Sequence, residues 1–312
     1  MFMSLYKQNI MKMEDLTRGD IDGILRSARD ISKHIDNKRF YTSLTGSVIG
    51  LLFFEPSTRT RMSFDIAASK LGARVYNFGS IDSSSIMKGE TLEDTFRIVG
   101  SYVDCAVIRH PSEDIVQLAS EIMDVPVINA GDGAGNHPSQ TFVDLYTLFS
   151  ECNKSNNEHI SITLAGDLKY SRTIHSLCSA LAYYDVEVFA VATSDLGLPE
   201  YYKKRFSEYG ISFSEHNTID ETLGKSDALY LTRLQEERFS GFVSYPCCNH
   251  IKINQDMINR LNPDVRILHP LPRGDEIPSE IDYLDNACYF VQAENCVPVR
   301  MALLKHVLLG MG

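Results

Sequence analysis

Short apolar runs rich in β-branched residues alternate with amphipathic stretches along nearly the whole chain, and this rhythm restricts the fold more than any single motif does. SVIGLLFF, ARVYNF, DCAVIRH and VPVIN occur in the first half, then HISITLAG, VEVFAVA, DALYLT and VRILHP in the second. Such runs, separated by helical segments, mark parallel βα units. Between them Phe64, Ala67, Ala68 and Leu71 share one helical face, as do Phe142, Leu145, Tyr146 and Phe149, and again Ile174, Leu177, Cys178 and Leu181. Each segment has one apolar stripe to lay on a sheet.

The expected class is therefore α/β, with two domains, each a mostly parallel sheet flanked by helices. A chain of 312 residues is long for one core and suits two domains of about 150 residues. The glycine-rich stretch NAGDGAGNHPSQ, 129–140, marks the change of direction. It sets a first domain over 1–137 and a second over 138–289. A C-terminal helix, within 290–312 and with Val299, Ala302, Leu303 and His306 on one side, is expected to pack back on the first domain.

Thirty Lys and Arg stand against 41 Asp and Glu, a formal charge of −11, so nucleic acid and anionic membranes are not expected partners. The N-terminal MFMSLYKQNIMKMEDL has no apolar core of a signal peptide, and no apolar run is long enough to span a bilayer, which makes a cytoplasmic protein the expectation. Seven cysteines, at 105, 152, 178, 247, 248, 288 and 296, form no CxxC pair. That scatter fits a reducing compartment, and adjacent Cys247 and Cys248 rarely aim two sulfurs at one tetrahedral ion, so no metal site is expected.

Any anion must then be met by local groups. FFEPSTRTR, 53–61, places Ser57, Thr58, Arg59 and Thr60 where a helix starts after a strand, and unpaired N–H groups and the helix dipole attract anions there. There is no GxxxxGK[ST], so this is not a P-loop. Taken alone, Ser57 also fits a plain helix cap with the arginines in solvent. GDLKYSRT, 166–173, repeats the Arg-Thr arrangement with Arg172 at the next helix start. Two anion sites, one per domain, follow from the echo.

Arg109-His110-Pro111 and His137-Pro138-Ser139-Gln140 each follow a strand, and a His so placed can polarise a carbonyl or move a proton. Taken alone, each fits a satisfied surface or capping position better. LTRLQ sets Arg233 and Gln235 two apart beyond a strand, suited with Arg172 to a substrate with more than one carboxylate, although Arg233 could instead pair with Glu236 or Glu237. HPLPRGDEI, 269–277, is stiff and exposes the Pro270 and Leu271 carbonyls, or is an ordinary rigid turn. Lys88, in the polar loop SIDSSSIMKGET, has nothing local to mark it.

Together FFEPSTRTR, Lys88-Gly89-Glu90, RHP, the NAGDG loop with HPSQ, GDLKYSRT, LTRLQ and HPLPR run in the order of the aspartate/ornithine carbamoyltransferase family, which the chain resembles from residue 53 to residue 273. TRxQ and HPLPR resemble its aspartate branch; an ornithine enzyme would carry Ser-Met-Gly and His-Cys-Leu-Pro elements there. The resemblance implies that Ser57, Thr58, Arg59, Thr60 and Arg109 hold the phosphate of carbamoyl phosphate, while Thr60, Arg109, His137 and Gln140 meet its carbamoyl end. It implies that Arg172, Arg233 and Gln235 bind the carboxylates of L-aspartate, and that Pro270 and Leu271 offer carbonyls to the carbamoyl NH2 or the attacking amine, with Leu271-Pro272 cis. Glu55 would latch to Arg172 and Arg233 on domain closure. Ser84 and Lys88 would enter the active site of a neighbouring subunit in a homotrimer, Lys88 touching both substrates.

No cofactor is implied, and regulatory chains are a further partner the family allows. Another amine acceptor such as ornithine, or a silent homologue used for assembly, are the alternatives. A silent homologue should have lost some of Arg59, Lys88, Arg109, His137, Arg172 or Arg233, and all six are present. Three positions depart from the family pattern: Ser139 in place of a frequent Thr, Cys296 where Gly is common, and a short segment between Gln235 and His269.

Overall fold

The computed structural model describes residues 5–35, 41–78, 89–235 and 252–310. In chain order the elements are α1 (Arg18–Ile35), β1 (Val48–Phe53), α2 (Thr58–Lys70), β2 (Arg74–Asn77), α3 (Leu92–Gly100), β3 (Cys105–His110), α4 (Glu113–Ile122), β4 (Val127–Asp132) and α5 (Pro138–Glu151). There follow β5 (Ile160–Gly166), α6 (Arg172–Leu181), β6 (Val186–Val191), α7 (Glu200–Glu208), β7 (Ser212–His216), β8 (Ala228–Thr232), α8 (Gln255–Arg260), β9 (Arg266–Leu268), α9 (Tyr289–Glu294) and α10 (Cys296–Leu309). They form two compact units, Met1–Val143 with Glu294–Gly312, and Asp144–Ala293.

The first unit holds a four-stranded sheet in the order β2-β1-β3-β4, every pair parallel. The order reverses between β1 and β3, and in open α/β sheets ligands bind at the carboxyl ends of strands at such a point. Phe64, Ala67 and Ala68 of α2 are fully buried, and each large side chain so buried contributes about 1.5–3 kcal/mol. The C-terminal helix does pack back on this unit, against α1 and α2. It is buried on more than one side, since Val299, Met301, Ala302, Leu303, Leu304 and Val307 are all at 0% exposure. Cys296 opens it without a positive φ, so the side chain at this usual Gly position meets no backbone strain.

The second unit holds a five-stranded parallel sheet in the order β7-β6-β5-β8-β9, with its reversal between β5 and β8. Every residue of central β5 is buried. The closeness of β5 and β8 is possible only because residue 166 is glycine: its φ is +120° and an added Cβ would sit 2.0 Å from the Thr232 carbonyl oxygen. Edge strand β7 was not among the apolar runs. Its SFSEH sequence leaves each residue partly or fully exposed, as an edge strand tolerates.

Candidate active site

In the first unit the STRT segment enters α2 straight from the carboxyl end of β1. Ser57 occupies the N-cap position in extended conformation but makes no side-chain capping bond, and α2 has no acidic residue in its first turn. The plain capping role is thus not taken up. A set of hydroxyls, the Arg59 guanidinium and first-turn N–H groups, which lack intrahelical acceptors, remains at the helix start. Thr60 is buried, Ser57 half-buried, and Thr58 and Arg59 exposed.

Arg300 of α10 holds this turn from behind. It is 1% exposed, its Nη1 donates to the carbonyls of Arg59 at 3.5 Å and Thr60 at 3.3 Å, and its guanidinium lies 4.8 Å from the Phe64 ring centroid. A buried guanidinium needs such acceptors and a ring face.

Arg109 is the penultimate residue of β3, inside the strand rather than after it, at a register shift between Ile108 and His110, and a β-bulge of this kind re-aims a side chain. Its Nε lies 2.6 Å from Oε1 of Glu55. Glu55 therefore has a partner within the first unit in addition to the latch to Arg172 and Arg233 expected of it. Next door, burial pushes the His110 imidazole below its ordinary pKa, against hydrogen bonding from Ser112 and the Glu55 charge, and its Nδ1 accepts the Ser112 N–H at 2.9 Å.

The glycine loop that follows β4 is stapled by Asp132. Its carboxylate accepts from Asn129 Nδ2 at 2.7 Å and from the Asn136 N–H, while the Gly133 N–H donates to the His110 carbonyl at 3.0 Å. That bond ties the loop to the end of β3, and so brings the start of α5 to the same sheet edge as Arg109. His137 stands before Pro138, its carbonyl accepting the N–H groups of Gln140 and Thr141, and its Nδ1 lies 3.3 Å from the Ser139 hydroxyl. Ser139 thus supplies the hydroxyl that Thr would. His137 and Gln140 are both buried.

In the second unit Arg172, Arg233 and Gln235 stand at the carboxyl ends of β5 and β8, beside the reversal point. Asp167, fully buried, organises them: Oδ1 accepts the N–H groups of Lys169 and Tyr170, and Oδ2 accepts that of Gln235 at 3.1 Å. Ser171 adds a second tie, its hydroxyl 3.2 Å from that of Thr232. Arg172 is 6% exposed and Arg233 half-buried, with Nη1 of Arg233 donating to the Leu234 carbonyl.

Pro270 and Leu271 follow β9, the next strand in the sheet, and both are half-buried. The Leu271-Pro272 bond is cis, as the resemblance implied. Ser84 and Lys88 lie outside the described residues, as do Cys247 and Cys248. Among the described residues no cluster of His, Cys, Asp or Glu is arranged to hold a metal ion, and no helix is long and apolar enough to cross a membrane.

The carbamoyl-P binding domain model of the aspartate/ornithine carbamoyltransferases matches residues 8–150, and the Asp/Orn binding domain model of the same family matches residues 158–307. The aspartate carbamoyltransferase catalytic subunit of Methanosarcina barkeri is 44% identical over 303 residues, covering 97% of each chain. That of Methanothrix thermoacetophila is 45% identical over 305 residues, 97% of this chain and 99% of the relative. Aspartate transcarbamoylase from Trypanosoma cruzi in complex with carbamoyl phosphate and aspartate has a TM-score of 0.92 and 37% identity, covering 97% of this chain and 98% of that one. The same enzyme in complex with N-(phosphonacetyl)-L-aspartic acid gives 0.90 and 37%, covering 97% and 96%.

Proposed function

The chain belongs to the aspartate/ornithine carbamoyltransferase family, and from that membership we propose that it transfers the carbamoyl group of carbamoyl phosphate to the α-amine of L-aspartate. The products are N-carbamoyl-L-aspartate and phosphate, an early step of pyrimidine biosynthesis. The observation that carries this reading is the near-complete match to catalytic subunits named for aspartate. The aspartate-type LTRLQ and HPLPR segments, at the ends of adjoining strands β8 and β9, support it.

The α2 entrance with Ser57, Thr58, Arg59 and Thr60, together with Arg109, receives the phosphate. Arg172 and Arg233 take the two carboxylates, each fork suited to two oxygens, and Gln235 adds a directional donor. The amine nitrogen attacks the carbonyl carbon, the carbonyl electrons move to oxygen, and the tetrahedral intermediate expels phosphate as the C–O bond breaks. The leaving phosphate accepts the proton lost by the amine. His137, with Nδ1 3.3 Å from the Ser139 hydroxyl, presents Nε2–H to the oxyanion, alongside Thr60 and Arg109. Gln140 orients the carbamoyl group, and the Pro270 and Leu271 carbonyls receive N–H groups of the reacting nitrogen. Positioning of two anions and a preorganised oxyanion site supply the rate, with no protein nucleophile.

Glu55 exchanges Arg109 for Arg172 and Arg233 as the site closes. Ser84 and Lys88 reach the site of a neighbouring subunit in a homotrimer. The reaction is placed in the cytoplasm, and regulatory chains are compatible with it. Incubating the full chain with carbamoyl phosphate and either aspartate or ornithine tests the reading. N-carbamoyl-L-aspartate and phosphate are expected from the first and no carbamoyl product from the second; turnover with ornithine alone would reverse the assignment.

A further inference from the structure

Leu271 carries a φ of +53°, a left-handed backbone that a bulky residue enters only when its surroundings hold it there. One hydrogen bond stands out as the holder. The Leu271 N–H donates to Nδ1 of His269 at 2.8 Å. Because Nδ1 accepts, it bears no proton, and the other ring nitrogen must carry it. That nitrogen, Nε2, lies 2.8 Å from Oε1 of Glu276, which also accepts the Gly274 N–H at 2.9 Å. His269 is 1% exposed and Glu276 7%.

The backbone of His269 is fixed as well. Its N–H donates to Oε1 of Gln292 at 2.8 Å, Nε2 of Gln292 donates to Asp144 at 2.6 Å, and the other Asp144 oxygen accepts from the Tyr230 hydroxyl at 2.9 Å. Gln292, Asp144 and Tyr230 are each at most 1% exposed. The hydrogen bonds thus run from Tyr230 through Asp144 and Gln292 to His269 and on to Leu271. Neither the phosphate-binding nor the carboxylate-binding residues include any of these side chains.

We propose that His269 is a positioning residue whose neutral, Nε2-protonated ring holds Leu271 in its left-handed conformation and so aims the Pro270 and Leu271 carbonyls at the reacting nitrogen. This rests on the carbamoyl-transfer reading. An imidazolium would put a proton on Nδ1 facing the Leu271 N–H and break the arrangement. Burial pushes the His269 pKa down, opposed by Glu276 and assisted by the Arg273 and Arg233 charges. Burial alone would raise the Glu276 carboxyl, but hydrogen bonds from His269 and Gly274 hold it below its usual value. The pair is therefore neutral imidazole and carboxylate at neutral pH.

Two amides separate the functions of the two ring nitrogens. Asn places its polar atoms where Nδ1 lies, and Gln places them where Nε2 lies. Full-chain H269N is expected to keep kcat within about fivefold of wild type, while H269Q loses about 10²-fold, the scale of a displaced reacting geometry. Binding of inorganic phosphate, assigned to the first unit, stays unchanged in both. Equal loss in the two variants, or an H269Q as active as H269N, overturns the proposal. Nitrogen-15 shifts of the wild-type imidazole keep it testable if either variant does not fold: Nε2–H with bare Nδ1 is expected, and an Nδ1–H or doubly protonated ring overturns it. A wild type without turnover on either acceptor overturns the carbamoyl-transfer reading and the inference with it, whereas an active wild type with indifferent variants overturns the inference alone.

Discussion

The Asp167 carboxylate reaches 68 residues along the chain to accept the Gln235 backbone N–H at 3.1 Å, while its other oxygen caps the turn that leads into Arg172. One buried acid thus fixes the spacing of both loops assigned to aspartate. Asp167→Ala is expected to cost about 2–3 kcal/mol, the scale of hydrogen bonds to a charged group, and to raise the KM for aspartate roughly tenfold or more. Affinity for phosphate should not change. Urea unfolding and aspartate saturation curves check both parts, and an unchanged KM would mean that the loops hold their spacing without this acid.

Arg300 plays the corresponding part in the first unit. Arg300→Ala removes donors to the Arg59 and Thr60 carbonyls and the stack on Phe64, with an expected loss of about 3 kcal/mol. Phosphate binding should weaken about tenfold, because the turn that presents Arg59 and Thr60 loses its backing. Calorimetric titration with phosphate, at a temperature where the variant stays folded, is the measurement.

His306 supplies a pH dependence of stability with a defined sign. Burial, with Lys305 and Arg26 nearby, pushes its pKa from 6.5 down to about 4, against the pull of Asp20, and its Nε2 lies 2.8 Å from the Ser27 hydroxyl. The unfolded state therefore binds the extra proton first as pH falls. Its contribution is complete above pH 6.5 and is lost progressively towards pH 4, amounting to about 2 kcal/mol by pH 5. His306→Gln should flatten this part of the stability curve. Parallel wild-type and variant curves in urea would assign the titration to another group.

Arg59→Ala and Lys88→Ala chains, each nearly inactive alone, are expected to regain partial activity when mixed and refolded. The proposed site takes Arg59 from one subunit and Lys88 from another, so a mixed trimer contains at least some intact sites. No recovery, with mixed trimers demonstrated by native mass, would rule out sharing.

The strands β1, β3, β5 and β8 were legible because their apolar runs are unbroken, whereas the Arg and His at their carboxyl ends stood out only when their motifs were read together, since each alone also fits a structural position. Strand β7 was not, since Ser212, Ser214 and Glu215 give an edge strand no hydrophobic contrast. The periodicity of α10 suggested one apolar side, whereas its surroundings cover more of it. Asp167, Arg300 and His269 escaped notice for a different reason. Their partners are main-chain N–H and C=O groups, which every residue possesses, so nothing in the sequence marks which of them a distant side chain will serve.

The first unit is built from the two ends of the chain, Met1–Val143 and Glu294–Gly312, whereas the second is one continuous stretch. On the ribosome, which delivers the chain from its N-terminus, the second unit has all its residues before the first does. Helices α1 and α2 then wait with an uncovered apolar surface until α10 emerges. A released chain truncated shortly before residue 296 should therefore be cut by protease within the first 143 residues more readily than the full chain, which makes translation of the last helix the event that completes the proposed phosphate site.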